Sequence, residues 1–216
     1  MTSIALVSSL AFAFLPVDKS ASVRVINAVA DREQLAFSVG DGVWEGVPYG
    51  QRTRFEEIPV ESKLIMTSVL QRRGEKIAND VPIRLQPGFP HTVIFTGRVT
   101  ESGNFTPIVL RDTTAGRPSS SSVQIQFVNA ISDRTAVTIT LNDALPQKRS
   151  KIDFGDSTPF IGYDSREYEL KLLDMKKSEL YTTKLRAFGG TRYVVVAMGT
   201  VGGTGNRAPR LFVYTF

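Results

Sequence analysis

The chain contains the same ten-residue motif twice, and this internal duplication limits the possible folds more than any other feature. Residues 23–32, VRVINAVADR, return as residues 125–134, IQFVNAISDR. The second copy starts 102 residues after the first, which is the length of a domain and much longer than the roughly 20–50 residues of a solenoid unit. The sequence therefore predicts two similar domains in tandem.

Two further pairs of segments repeat in the same order. Residues 47–50, VPYG, correspond to residues 152–155, IDFG, at a spacing of 105 residues. Residues 87–97 correspond to residues 189–199 at the original spacing of 102 residues. The extra three residues between the first two motifs of the second copy are a normal loop insertion, so the duplication extends over both halves.

The hydrophobic pattern has a period of two, which indicates β-strands with one face in a core. Apolar and polar residues alternate through 35–39, 137–141 and 168–172. The runs 91–95 and 193–198 are mainly apolar and rich in β-branched residues, which is typical of a central strand covered on both sides. Glycine-, proline- and asparagine-containing turns recur between these runs. We therefore expect an all-β fold of two tandem immunoglobulin-like antiparallel β-sandwich domains, each with its own core.

A glycine-, proline- and serine-rich stretch separates the two copies and has almost nothing to bury, so it is typical of a linker. The predicted organisation is an apolar N-terminal segment at 1–21, a first sandwich at 22–114, a linker at 115–122 and a second sandwich at 123–216.

Charge divides unequally between the copies. Residues 1–115 hold 12 Lys/Arg and 12 Asp/Glu, whereas residues 116–216 hold 14 and 9, so the net charge of +5 belongs to the second half.

The apolar N-terminal segment has two interpretations. Its small and apolar composition favours a cleaved secretory leader, although it lacks the usual basic start. Alternatively, large and small side chains alternate along it, as in a strand that adds to the open sheet edge of a neighbouring subunit. The large residues that would make this assembly contact are Ile4, Leu6, Leu10, Phe12 and Phe14. About fourteen apolar residues are too few to span a bilayer, which needs roughly twenty, so we expect no transmembrane span.

Residues with catalytic or metal-binding chemistry are scarce. The chain has no cysteine and one histidine, His91, which occupies the position of Tyr193 in the second copy. A half-exposed packing role is expected for His91, because a general base needs a positioned partner. Asp31 and Asp133 each stand beside an arginine, which disfavours a calcium site. We therefore predict no catalytic residue, no metal, no cofactor and no enzymatic activity.

The repeated polar and glycine residues have a structural interpretation. Asparagine and aspartate side chains bond the backbone of their own turns, and a glycine after an aromatic residue supports a turn conformation that other residues avoid. The positions assigned to this role are Asn27, Asp31, Tyr49, Gly50, Asn129, Asp133, Phe154 and Gly155. The basic clusters at 72–73, 148–151 and 171–177 lack interleaved aromatic residues, so we predict no specific nucleic-acid binding.

These segments together resemble a bacterial family known as domain of unknown function 4397. The resemblance is carried by VRVINA at 23–28, VPYG at 47–50, the Pro87-Gly88 turn before a strand ending in Gly97, and LRDTT at 110–114. It covers residues 22–216 and implies an exported or surface-associated β-sandwich protein, often with a duplicated unit. The His-Ala-Ser-Pro-Asp segment usual in that family is replaced here by NAVAD at 27–31 and NAISD at 129–133. No catalytic residues come with the resemblance.

Three classes of function follow from these features. We expect a non-enzymatic structural or adhesive protein that is extracytoplasmic (secreted, periplasmic or on the cell surface). It would partner with itself or with other surface components, and a filament subunit assembled by N-terminal strand addition is one form of this. The alternative is a soluble exported binding module for an anionic polymer or a protein partner, which the basic second half favours. An enzyme is the third class, with only His91 and scattered carboxylates in its favour.

Overall fold

The structure is a computed structural model that describes residues 20–60, 64–70, 76–77, 80–98, 105–112, 116–133, 135–142 and 151–216. Its regular elements within these ranges are β-strands and one short 3-10 turn at Gly205–Arg207. The strands are β1 Ser20–Val29, β2 Gln34–Val39, β3 Gly42–Pro48, β4 Glu56–Pro59, β5 Ile65–Leu70, β6 Val81–Ile83, β7 Pro90–Gly97, β8 Thr106–Arg111, β9 Ser122–Ile131, β10 Thr138–Leu141, β11 Ile161–Asp164, β12 Glu167–Leu173, β13 Glu179–Arg186, β14 Arg192–Gly199 and β15 Arg210–Thr215.

Each half of the chain forms two sheets, and the strand orders of the two halves correspond. The inner sheets, which face each other, have the orders β4-β1-β7-β8 and β11-β9-β14-β15. The outer sheets have the orders β3-β2-β5-β6 and β10-β12-β13. Strand β9 therefore takes the place of β1, and β14 takes the place of β7. The predicted all-β sandwich fold is confirmed, while the predicted domain bounds remain predictions.

A hydrophobic core lies between the inner and outer sheet of each half. In the first half, Phe37 of β2 stacks on Phe95 of β7 with ring centroids 4.5 Å apart. In the second half, Tyr168 and Leu170 of β12 pack against Val195 of β14. The alternating apolar residues noted in the sequence supply these two cores, because successive side chains of a strand point to opposite faces of its sheet.

The centre of each inner sheet is a parallel pair of strands. Strand β1 pairs in parallel with β7, and β9 pairs in parallel with β14, whereas the other pairings between the described strands are antiparallel. Parallel strands are usually buried on both faces and are correspondingly apolar throughout. The predicted central strands at 91–95 and 193–198 are thus confirmed as the middle of β7 and β14, buried along their length.

The second cover of these central strands is the other half of the chain. On β14, Val195 points into its own core, whereas Val194 and Val196 point towards the first half. The molecule is therefore a stack of four sheets, with the two inner sheets packed against each other. We call the apolar side chains between them the shared layer, which consists of Ile26, Ala28, Ile94, Ile108, Leu110, Val128, Ala130, Val194, Val196, Met198 and Tyr214.

Polar contacts accompany the shared layer and connect the two halves. The hydroxyl of Thr96 donates to the carbonyl oxygen of Ala130 at 2.7 Å, and that of Tyr214 donates to the carbonyl oxygen of Gly50 at 2.8 Å. The guanidinium of Arg52 donates to the carbonyl oxygen of Thr215. Such directional bonds require one relative placement of the two sheets, which apolar packing alone does not specify.

The predicted linker enters the second half as a hydrogen-bonded turn. The amide of Ser122 donates to the carbonyl of Ser119 at 3.0 Å, and the amide of Gly190 donates to the same oxygen at 2.8 Å. A methyl group at Gly189 would overlap the backbone of Ser120. Residues 119–122 are therefore packed against the loop that precedes β14.

Replacement of Gly50 by alanine should weaken the shared layer. Gly50 and Gly155 have φ values of +73° and +79°, so alanine costs about 1–2 kcal/mol of backbone strain at either position. Only at Gly50 would the new methyl group overlap a ring, that of Phe212. We expect Gly50→Ala to lower the free energy of unfolding by about 1–2 kcal/mol more than Gly155→Ala does. Urea denaturation of both variants measures this difference, and equal losses would contradict the close contact.

Candidate functional site

The two repeated asparagines have equivalent structural roles at the same place in each inner sheet. Both side chains are fully buried. Their Oδ1 atoms accept hydrogen bonds from the amides two residues later, Val29 for Asn27 at 2.9 Å and Ile131 for Asn129 at 3.1 Å. The Nδ2 atom of Asn27 also donates to the carbonyl oxygen of Val47 at 2.9 Å. These side chains therefore stabilise backbone turns and leave no free group for chemistry.

The aromatic–glycine pairs lie beside the asparagines. The amide of Gly50 donates to the carbonyl oxygen of Asn27 at 2.8 Å, and Gly155 makes the equivalent bond in the second half. Tyr49 packs edge-on against Phe212 with ring centroids 5.6 Å apart, at the border of the shared layer. Burial raises the pKa of the Tyr49 hydroxyl to about 12, with Arg210 acting in the opposite direction. Phe154 is half-buried at the equivalent position.

The two repeated aspartates lie where β1 and β9 end. Asp133 accepts hydrogen bonds from the hydroxyl of Thr135 and from the amide of Val201, both at 3.1 Å. Asp31 lines a cavity of about 180 Å³ together with Arg98 and Arg207. Arginines in this cavity disfavour a cation there. Within the described ranges, no three histidine, cysteine, aspartate or glutamate side chains come together as a metal site.

His91 is buried, with 2% of its surface exposed, so the predicted half-exposed position is wrong. Its Nδ1 donates to the carbonyl oxygen of Phe89 at 2.9 Å, and its Nε2 accepts from the amide of Gln86 at 3.2 Å. In the second half, the hydroxyl of Tyr193 accepts from the amide of Phe188 at 3.0 Å. Histidine and tyrosine thus satisfy the same backbone amide in the two copies, and the imidazole is committed to this turn.

The five proposed assembly residues, Ile4, Leu6, Leu10, Phe12 and Phe14, lie outside the described residues. The structure therefore does not bear on the choice between a leader and an inserted strand. Along the ranges that it does describe, no helix has the length and apolar character needed to cross a bilayer.

Arginine and aromatic residues from distant parts of the sequence lie in contacting pairs at the end of the stack where β1, β7, β9 and β14 begin. This surface is held together by backbone bonds, such as those from the amide of Ala187 to the carbonyl of Arg166 and from the amide of Asp112 to that of Pro90. We call it the arginine end. Its members are Arg24, Arg111, Arg117, Arg166, Arg186 and Arg192 with Phe55, Phe89, Phe160, Phe188 and Phe216.

Arg24 lies inside the arginine end with 6% of its surface exposed. Its guanidinium carbon is 4.5 Å from the ring centroid of Phe55 and 4.0 Å from that of Phe216, so it is held between two aromatic rings. Its Nε donates to the hydroxyl of Thr92 at 2.9 Å, whereas Nη2 has no hydrogen-bond partner among the described residues. Burial lowers the pKa of Arg24 to about 10, and the positive charge of Arg52 contributes in the same direction.

Arg192 is also buried and connects the two halves. Its Nη1 lies 3.1 Å from the Asp112 carboxylate, which follows β8 of the first half. Its Nε donates to the side-chain oxygen of Gln124 at 2.9 Å, and Nη2 donates to the carbonyl oxygen of Gly116. The guanidinium carbon also lies 5.6 Å from the ring centroid of Phe160. Multiple bonds of this kind compensate the cost of burying a charge.

A cleft of about 570 Å³ opens beside these two arginines, between the halves. Its walls are residues 116–118 and 190–192, together with Asp112 and Phe216. Phe216 of the cleft wall stacks on Arg24, whose guanidinium also stacks on Phe55, a ring that is 42% exposed. The cleft therefore combines positive charge with aromatic surface, which is the chemistry of a binding site for anions with an apolar face.

The sequence alone did not reveal this site, because the arginines that form it are not contiguous along the chain. The arginines of the site are far apart along the chain and belong to both halves, so only the packing of the inner sheets brings them together. One signal was available in the repeats. Phe55 and Phe160 are equivalent residues of the two copies, and each stacks with one of the buried arginines, Arg24 or Arg192.

The fold and the site define an all-β protein of two packed sandwiches with a cationic cleft between them. The model of a family described as a domain of unknown function (DUF4397) matches residues 21–140, which is more than half of the chain. The chain belongs to this family. The matched part covers the first sandwich and continues through β9 and β10 of the second. No curated protein matches the chain.

Burial of neutral His91 should make the stability of the protein depend on pH. The pKa of His91 is lowered from 6.5, mainly by burial, so the unfolded chain binds a proton more readily than the folded chain. Stability is then constant above the unfolded pKa and falls as the pH drops below it. We expect urea denaturation at pH 7.5 and pH 5 to show a larger loss for wild type than for His91→Tyr, which keeps the acceptor. Equal losses in both proteins would contradict the assignment.

Removal of the Asp112 carboxylate should leave the buried Arg192 guanidinium uncompensated. Loss of one partner of a buried pair costs about 3–5 kcal/mol, whereas an exposed pair contributes about 1 kcal/mol or less. The exposed pair of Glu167 and Lys184, with N and O atoms 3.2 Å apart, provides the control. We expect Asp112→Ala to lower the free energy of unfolding several-fold more than Glu167→Ala does. Comparable small losses in chemical denaturation would show that the Asp112 pair is not effectively buried.

Proposed function

We propose that this protein is a non-enzymatic structural or adhesive module that acts outside the cytoplasm. One observation carries the proposal: the shared layer joins the two sandwiches into a stack of four sheets. Tandem domains with small polar interfaces move relative to each other, whereas a buried apolar interface resists such motion. A rigid stack of this kind keeps a bound surface, a neighbouring subunit or a ligand in a fixed position, as a structural or adhesive module must.

The commitment of the repeated polar residues to backbone bonds supports a non-enzymatic role. Asn27 and Asn129 each bond two separate backbone segments, and His91 uses both ring nitrogens within its own turn. Catalysis by such a residue would require breaking bonds that hold the turn. These side chains stabilise the sandwiches, which is what a structural module needs.

The sheets of the stack also offer places for homo-assembly. Strands β3 and β13 are at the edges of the outer sheets, and each has one row of backbone groups without a neighbouring described strand. An edge strand accepts a further strand through main-chain hydrogen bonds. The alternating large and small residues at 4–14 match the side-chain period of such a donor strand. Self-assembly into filaments is therefore the form of the structural role that we propose.

Deletion of residues 2–16 should abolish assembly while the remaining chain stays folded. We expect light scattering and electron microscopy to show oligomers or filaments for the full chain and monomers for the truncated chain. Substitution of Leu10 and Phe12 by aspartate in the full chain provides a second variant, because charged side chains are costly in an apolar groove. Monomers for all three proteins would exclude filament assembly.

Fractionation of cells producing the full chain tests export, and recovery only in the cytoplasm would contradict the proposed location.

A second candidate is a binding module for an anionic polymer, and the charge distribution favours it. The net charge of +5 belongs to residues 116–216, and the cleft contains Arg117 and Arg192 of this half. Binding of a surface polymer is compatible with an adhesive role, because a rigid module that binds a polymer attaches that polymer to the other partners of the module.

A further inference from the structure

We propose that the arginine end binds carboxylated polysaccharides, that is, chains containing uronic acids. The inference rests on the proposed adhesive function and names its ligand class.

The side chains of the cleft walls have a net positive charge. They include two arginines, Arg117 and Arg192, and one side-chain carboxylate, that of Asp112, which pairs with Arg192. Arg24 stacks on Phe216 of the cleft wall and adds a further positive charge, with its Nη2 unbonded among the described residues. Because both buried arginines lie beside apolar side chains, their charge is weakly screened and attracts an anion to the opening.

The arginine side chain favours carboxylate as the ligand group. The guanidinium presents a planar fork of donors that matches the two oxygens of a carboxylate. Arg192 already binds one such group, because the Asp112 carboxylate lies 3.1 Å from its Nη1 within the cleft wall. Arg117 is exposed on the cleft wall, where a carboxylate of a bound chain would meet it.

An exposed aromatic ring supplies the apolar part of the recognition. Phe55 is 42% exposed and stacks on Arg24, which also stacks on Phe216 of the cleft wall. A pyranose ring has an apolar C–H face that packs on an aromatic side chain, while its carboxylate remains in the ring plane and is free to meet an arginine. The cleft volume of about 570 Å³ lies within the range of about 300–1,000 Å³ usual for small ligands. The cleft therefore accommodates one sugar residue, with the chain continuing across the rim.

Single-stranded nucleic acid is the less suitable ligand, although it is also an anion with flat rings. Binding of successive bases needs a row of aromatic side chains with free faces. Beside the cleft, the guanidinium carbon of Arg24 lies 4.5 Å from the ring centroid of Phe55 and 4.0 Å from that of Phe216, so a guanidinium already occupies one face of each ring. Such rings pack well against single sugar residues and poorly into a continuous stack of bases.

The test measures binding of the full chain to alginate, a polymer of uronic acids, by isothermal titration calorimetry. Neutral dextran and a single-stranded DNA oligonucleotide are the comparison polymers. The site variant combines Arg117→Gln and Phe55→Ala. The control variant combines Lys176→Gln and Met175→Ala at the turn between β12 and β13, where Met175 is 57% exposed. Both variants lose one positive charge and one exposed apolar side chain.

We expect wild type to bind alginate and not dextran, with affinity reduced about tenfold or more in the site variant and less than about twofold in the control. Equal reductions in both variants would show bulk charge attraction and overturn the site. Tighter binding of DNA than of alginate, lost in the site variant, would overturn the ligand class, and no alginate binding by wild type would overturn both. A chain that is exported and assembles without binding alginate contradicts this inference alone. A chain that binds alginate but is cytoplasmic and monomeric contradicts the proposed function.

Discussion

Burial of apolar side chains between the two inner sheets is the interaction on which the rest of the structure depends. The central strands β7 and β14 are buried on both faces, so one sandwich core cannot cover them. Packing the inner sheets against each other removes the second face from water, and burial of apolar surface is the main favourable contribution to folding. The same contact places Asp112 of the first half beside Arg192 of the second half, and both residues line the cleft.

The two buried arginines lie at the edge of the shared layer, next to the cleft. A buried guanidinium costs free energy unless other groups compensate it. Arg192 is compensated by Asp112 and Gln124, whereas Arg24 has two aromatic rings and one hydroxyl. A charge that is incompletely compensated in the folded protein is a source of attraction for an external anion. Rigidity of the stack and affinity for a polymer thus have a common structural origin.

Much of the fold was predictable from the sequence, because a period of two and a duplicated motif are local signals. The runs at 91–95 and 193–198 indicated strands covered on both sides, but a hydrophobic pattern does not say what covers a face. The second face of these strands is covered by the other copy of the duplicated unit, and only the structure shows this. The equivalence of His91 to Tyr193 indicated a packing role, but the depth of its burial required the structure. The arginine end combines residues from both halves, so no local pattern showed it.

A distance measurement between the outer sheets tests most directly whether the shared layer holds the two sandwiches together. The chain has no cysteine, so spin labels attach only to cysteines introduced at exposed Met66 of β5 and Lys184 of β13. Double electron–electron resonance should give one narrow distance distribution, and it should broaden when Val196 of the shared layer is replaced by aspartate. A broad distribution in the otherwise unchanged protein would show that the sandwiches move independently and would contradict the account.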